Sequence, residues 1–265
     1  MKNRRVALVA GATRGAGRGI ARGLGEKGFV VYCSGRSTRG HAATPGRTET
    51  IDETAEIVTA AGGEGIAVQT DHRDVVQVRA LVDRMRGEHG RLDVLVNDIW
   101  GQDAWIDWWF RETKFWTIPI ERGLDVINTA VLTHIITARE AMPLMLATKG
   151  GGLIAEITDG DGCYYRGQFY YDFAKTSVIR IAMALAHELR RESIASVAIT
   201  PGFPSASPIP MAGCSVAAHR RRPSSRSSAP PRSSPGSAGT RRSDSVRPTR
   251  PGTGGPGPEP TWPTC

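Results

Sequence analysis

Six short apolar runs, each separated from the next by a longer stretch, constrain this chain more than any other feature. They are VALVA (6–10), FVVYCS (29–34), GIAVQ (65–69), LDVLVN (92–97), LIAEI (153–157) and IASVAIT (194–200). The runs are near-continuously apolar and often β-branched, which marks strands covered on both faces. Between them apolar residues recur at helical spacing, as over 57–61, 75–86, 124–146 and 173–189. Strands alternating with helices predict an α/β fold with a parallel sheet and right-handed crossovers. No internal repeat is visible.

The first run enters GATRGAGRGIARGLG, where Gly11, Gly15 and Gly17 form G-x-x-x-G-x-G between a strand and a helix. Glycine lets the backbone turn tightly and approach a pyrophosphate at a helix N-terminus, where free N–H groups and the helix dipole favour an anion. NAD-binding folds usually place an acid after the second strand for the ribose diol. Between Glu26 and Glu49 this chain has no Asp or Glu; CSGRSTRG supplies Arg36 and Arg39 instead, and Arg14 lies in the glycine turn. A guanidinium pairs with a 2′-phosphate, so the expected cofactor is NADP(H).

At 265 residues and 40% apolar content the chain can bury one full core. No apolar run approaches membrane-spanning length. The apolar run after Arg4 and Arg5 stops at a glycine turn, too short for a signal peptide. Cys33, Cys163, Cys214 and Cys265 are scattered without zinc-site spacing, so no metal is expected and a reduced, cytoplasmic chain is the simple reading. The net charge of +8 is not spread evenly. Residues 204–265 hold nine Arg, no Lys and two acids, leaving about +1 for residues 1–203.

Composition changes just after VAITPGF. Residues 204–265 carry 13 of the 17 prolines, no Leu, Phe or Tyr, and three Ile or Val in all. Such a segment cannot offset its chain entropy by burial, so a disordered tail is expected beyond a folded region of 1–203. Its residue types have GC-rich codons, as expected of a GC-rich gene read in another frame, and a frame change near residue 204 is one account of it. A basic arm for nucleic acid is another; the lack of Lys, with Trp262 the only aromatic residue, argues against it.

FYYDFAK (169–175) sets Tyr171 four residues before Lys175, one helical turn apart on one face. A phenol titrates near 10 in water, too high for efficient proton exchange near neutrality, and a neighbouring ammonium favours the phenolate. The glycine turn, the LDVLVND strand, an Asn within a long helix, Tyr-x-x-x-Lys and a Pro-Gly after a strand occur in order over residues 4–203. This resembles the short-chain dehydrogenase/reductase family. The resemblance implies a Rossmann-type doubly wound sheet and an NADP(H)-dependent exchange between a carbonyl and a secondary alcohol. It places the catalytic Tyr and Lys on Tyr171 and Lys175, and the helix Asn on Asn128, holding a water that links Lys175 to solvent. It implies that Lys175 bonds the nicotinamide ribose and that Asp71 contacts adenine. Asn97 opens the NDIWG stretch, usually Asn-Asn-Ala-Gly, and Pro201–Gly202 match the family's Pro-Gly.

Two departures stand out. The family's serine is missing from GGLIAEITDGDG: counting from the strand puts its position at Asp159, counting back from Tyr171 puts it at Thr158. A threonine hydroxyl can donate to a developing oxyanion; an ionised Asp159 cannot, and it would oppose formation of a phenolate. After TPGF, the family's substrate cover and seventh strand find no match. The strand at 195–200 is then expected to be a sheet edge prone to self-association, with poor solubility and weak or absent turnover; a homo-oligomer is expected among its partners. The loop 100–116 holds five of six Trp and either lines an apolar substrate pocket or packs as a flap on the domain or on a partner subunit. Three functions compete: an NADP(H)-dependent oxidoreductase, a cofactor-binding homologue with impaired catalysis, and a nucleic-acid-associated protein acting through the tail.

Overall fold

The computed structural model describes residues 4–102, 114–159, 165 and 167–200. Three of the loop's tryptophans (Trp105, Trp108, Trp109), Pro201, Gly202 and the 204–265 tail lie outside the described residues.

The strands are β1 (Val6–Ala10), β2 (Val30–Gly35), β3 (Glu64–Gln69), β4 (Val94–Asn97), β5 (Gly152–Ile157) and β6 (Ile194–Ile199). All pair in parallel, in the order β3-β2-β1-β4-β5-β6. The helices are α1 (Gly15–Glu26), α2 (Ile51–Ala60), α3 (Val75–His89), α4 (Ile120–Ile127), α5 (Thr133–Ala147) and α6 (Phe169–Glu188). Strand order reverses beside β1, so the connections leaving β1 and β4 diverge and open a crevice at the strands' C-terminal ends. This is the doubly wound sheet the sequence predicts. Among the described residues it has six strands, with β3 and β6 at the edges.

Alternating side chains of one strand feed two cores. Val6 and Leu8 of β1 pack with Leu81, Met85, Leu144 and Met145 of α3 and α5, while Ala7 and Val9 pack with Ala21, Ile51 and Val58 of α1 and α2. Each fully buried side chain of Val or Leu size stabilises by roughly 1.5–3 kcal/mol. A third cluster joins Val126 of α4 to Tyr170 and Ala174 of α6.

Local chemistry sets the boundaries. Helix α2 starts six residues before the predicted 57 because Thr50 and Glu53 form a capping box, the Thr50 hydroxyl accepting from the Glu53 amide. Asp74 caps α3, and Gly90 closes it in the left-handed conformation, φ 66°. Strand β4 starts two residues late because Leu92 donates its amide to Thr148 Oγ1 (2.9 Å), while the Asp93 carboxylate accepts from the Val6 amide (2.8 Å) and pairs with Arg91. The predicted helix 124–146 is two helices joined by a π-helical segment, Asn128–Leu132. Among the described residues no helix is long and apolar enough to cross a membrane.

Candidate active site

The turn after β1 is fixed from below by Ser34, whose carbonyl accepts from the Gly11 and Ala12 amides, both at 3.0 Å. Gly11 has φ 88°, and a Cβ there would sit on the Asp98 carbonyl. At Gly17 a Cβ would run into the Gly11 carbonyl, so this glycine permits the close approach of α1 to the turn. Gly15 differs: its φ is 57° and a Cβ would meet nothing within 4 Å. That open ground lies at the N-terminus of α1, whose N-cap residue Arg14 makes no side-chain capping bond. A helix N-terminus beside open ground, where first-turn amides and the helix dipole favour an anion, fits a bound pyrophosphate.

The crevice above this turn has a volume of about 490 Å³. Gly11, Arg14, Gly15, Arg36 and Asp71, expected as cofactor contacts, line it, and so do Arg47 and Arg73, which sequence reasoning did not single out. Asp71 accepts from the Arg73 amide (3.0 Å) and guanidinium (2.5 Å), and this pairing holds its carboxyl below the usual carboxylate range. Arg39 is turned outward, paired with Glu56 at 2.8 Å. The signal for Arg73 was present in the sequence: a basic residue two positions after Asp71 at a strand end.

Behind the crevice lies a buried polar layer that periodicity could not reveal. The side chain of Asn97, expected among the cofactor contacts, is fully buried and points into the protein, its amide donating to Glu156 Oε1 at 2.9 Å. Glu156 Oε2 lies 2.5 Å from His134 Nδ1, and His134 Nε2 lies 3.0 Å from the Ile99 carbonyl. A carbonyl only accepts, so Nε2 carries a proton. The chain Asn97–Glu156–His134 thus braces the turn after β4 that forms one wall of the crevice. His72 links the other side: Nε2 is 2.9 Å from Ser34 Oγ and Nδ1 is 2.8 Å from Thr137 Oγ1. Thr137 donates its hydroxyl proton to the Thr133 carbonyl, which assigns the donor to His72 Nδ1. Burial keeps this imidazole neutral, pushing its pKa down to about 4.

On α6 the Tyr171 hydroxyl donates to Asp159 Oδ2, and Lys175 Nζ lies 3.9 Å from Asp159 Oδ1. The Trp100 ring joins them, edge-to-face with Tyr171 at 5.2 Å and 4.2 Å from the Lys175 ammonium. Trp100 also lines the crevice, so it connects the cofactor-sized space to the Tyr–Lys pair. The Thr158 hydroxyl donates to the Lys175 carbonyl at 2.7 Å, tying α6 to the end of β5. Of the two candidates for the serine position, the structure brings Asp159 to the phenol and gives Thr158 a positioning contact. Asn128, expected to hold a water linking Lys175 to solvent, is exposed at the start of the π segment, and Thr129 and Thr133 line the crevice. Among the described residues no group of three or more His, Cys, Asp or Glu could hold a metal ion.

A dinucleotide-sized crevice at a topological switch point, with Tyr and Lys one turn apart beside it, defines a nucleotide-binding α/β protein of the dehydrogenase kind. The chain belongs to the short chain dehydrogenase family, whose model matches residues 5–209. Dehydrogenase/reductase SDR family member 1 of Mus musculus is 32% identical over 200 residues, 75% of this chain and 60% of that protein. The chain thus spans about three fifths of that relative's length. A single-site variant of actinorhodin polyketide ketoreductase, solved with NADPH, is 28% identical with a TM-score of 0.64, covering 77% of this chain and 72% of that one. NADH-dependent reductase A1-R′, solved with NAD, shares the fold at 18% identity and a TM-score of 0.62, covering 76% and 79%. The fold alone therefore does not choose between the two cofactors.

Proposed function

We propose that this chain is an NADP(H)-dependent oxidoreductase that interconverts a carbonyl and a secondary alcohol, with Tyr171 as proton donor and acceptor. The observation that carries this reading is the Tyr171–Lys175 pair on one face of α6, joined through Trp100 to the glycine-lined crevice. Gly11, Gly15 and Gly17 make room for the pyrophosphate; Arg14 and Arg36 supply charge for a 2′-phosphate; Asp71 takes the adenine side. Lys175 is assigned to the nicotinamide ribose, and Pro201–Gly202 to the nicotinamide end, by likeness to the family. Bound there, NADP(H) supplies or accepts the hydride. The chain's own part is electrostatic: the Lys175 ammonium stabilises negative charge on the phenol oxygen as its proton moves to the substrate oxygen.

Asp159 favours a second reading, cofactor binding with impaired carbonyl chemistry. Two like unit charges 4 Å apart interact by roughly 4 kcal/mol at an effective dielectric of about 20. A carboxylate on Tyr171 therefore opposes an oxyanion there by about 10³ in rate, unless a proton resides on the pair.

Fluorescence titration with NADPH and NADH, followed by NADPH oxidation against aldehydes and ketones, tests both readings. The expected result is tighter binding of NADPH and turnover that falls about 10²–10⁴-fold in Tyr171→Phe, with NADPH affinity unchanged. Binding without oxidation across the panel supports the second reading. No binding of either nucleotide overturns both.

A further inference from the structure

The connection from β2 to α2 turns back over the crevice, and both its middle and its far end are tied to Ser37. The Ala43 amide donates to Ser37 Oγ (3.1 Å), and the Ile51 amide donates to the Ser37 carbonyl (3.0 Å). A turn with Gly46 at φ 71° closes on the Arg47 amide, which donates to the Thr44 carbonyl at 3.2 Å. Thr44, Pro45 and Arg47 consequently line the same crevice as Gly35, Arg36 and Ser37 at the end of β2. That strand end is where a dinucleotide fold reads the 2′ position of the adenine ribose.

One carboxylate serves two of the arginines there. Glu49 Oε1 lies 2.9 Å from Arg47 Nη2, and Glu49 Oε2 lies 3.6 Å from Arg14 Nε. Its own backbone amide, then Arg47 and Arg14, hold the Glu49 carboxyl below its usual range, so it is ionised near neutrality. Because Glu49 is the first acid after Glu26, the sequence reads as leaving the 2′ position without an acid, whereas the fold brings Glu49 back onto the arginines that flank it.

We propose that Arg47 is a third arginine of the 2′-phosphate subsite and that Glu49 is its resident counter-ion, displaced when the phosphate enters. The inference rests on the NADP(H) reading and adds to it the residues that set the strength of the preference. A phosphate monoester carries about −1.5 to −2 charge near neutrality and three acceptor oxygens, so it outcompetes a single carboxylate for two guanidiniums. A ribose diol is neutral and leaves Glu49 where it is. Glu49 therefore weakens binding of 2′-phosphorylated nucleotides and leaves their unphosphorylated counterparts nearly unaffected.

The test is calorimetric binding of 2′,5′-ADP and 5′-AMP to the full chain, in wild type, Glu49→Gln, Arg47→Ala and the double variant. Glu49→Gln is expected to tighten 2′,5′-ADP about tenfold and Arg47→Ala to weaken it about tenfold. In the double variant the gain from Glu49→Gln shrinks, because one of the two freed arginines is gone. Affinity for 5′-AMP should change less than twofold throughout, which also reports that each variant is folded. Weaker or unchanged 2′,5′-ADP binding in Glu49→Gln overturns the counter-ion role, and an unchanged Arg47→Ala overturns the third arginine. Failure of the NADP(H) reading itself is separately visible: wild type then binds 2′,5′-ADP no tighter than 5′-AMP, and the subsite falls with it. Binding of neither nucleotide overturns both.

Discussion

Tyr171 is held by two opposing neighbours, an ammonium that favours loss of its proton and a carboxylate that retains it. The sum decides whether the phenol can serve a carbonyl. Replacing the carboxylate by a neutral donor removes the opposing member while leaving Lys175 in place. Asp159→Ser is therefore expected to raise kcat for ketone reduction by up to about 10³-fold with NADPH affinity unchanged, measured by stopped-flow oxidation and fluorescence titration. A kcat that stays level or falls would show that Asp159 does not oppose the reaction. The Tyr–Lys relationship was legible because four residues along a helix always return to the same face. The choice between Thr158 and Asp159 was not. The two ways of counting differ by one residue, and along extended backbone one residue reverses the face. The π-helical segment that begins at Asn128 was not legible either, since a π turn takes an extra residue that a regular helical count does not foresee.

At the scale of elements, the crevice depends on polar ties between strands and helices. His72 follows β3 and joins Ser34 of β2 to Thr137 of α5 as a neutral ring. Its folded pKa, about 4, lies below the ordinary 6.5 of an exposed histidine. The unfolded chain therefore takes up a proton between pH 6.5 and 4 that the folded chain refuses. Stability linked to this ring is complete above 6.5 and is lost as pH falls through that window, by about 3 kcal/mol in all. His72→Gln removes the titration, so the stability gap between wild type and variant should narrow by about that amount from pH 7 to pH 4 in urea melts. A gap independent of pH would mean that the ring titrates alike in the folded and unfolded chains, so that burial does not depress its pKa. Strand positions were legible to within two residues, because apolar runs and their bounding turns are local. The layer Asn97–Glu156–His134 was not, since each partner comes from a different element and Glu156 sits inside an otherwise apolar strand.

Over the whole molecule, most of the net charge lies in a stretch of sequence that follows the last described strand. The nine Arg of residues 204–265 account for most of the net charge, yet the charge that matters to the crevice comes from Arg14, Arg36, Arg47 and Arg73, drawn from three separate strand ends. Composition made the first legible, and only the strand order, which brings the ends of β1, β2 and β3 together, makes the second so. A ligand seated there contacts α1, the β2–α2 connection and the turns after β3 and β4 at once, so it can exist only on the folded sheet. Binding then becomes stability: a ligand at a hundred times its Kd adds about 2.7 kcal/mol, and one bound tenfold more weakly adds about 1.4 kcal/mol at the same concentration. For a folded region of this size each kcal/mol moves Tm by about 2–4 °C. NADPH should raise Tm by roughly 5–10 °C and NADH by about half as much, read by thermal unfolding over a series of ligand concentrations. Equal shifts would remove the role given to the arginines while leaving the glycine turn intact. The absence of any shift would show that the open ground at Gly15 is not a phosphate site, and the hydride chemistry assigned to Tyr171 would have no donor beside it.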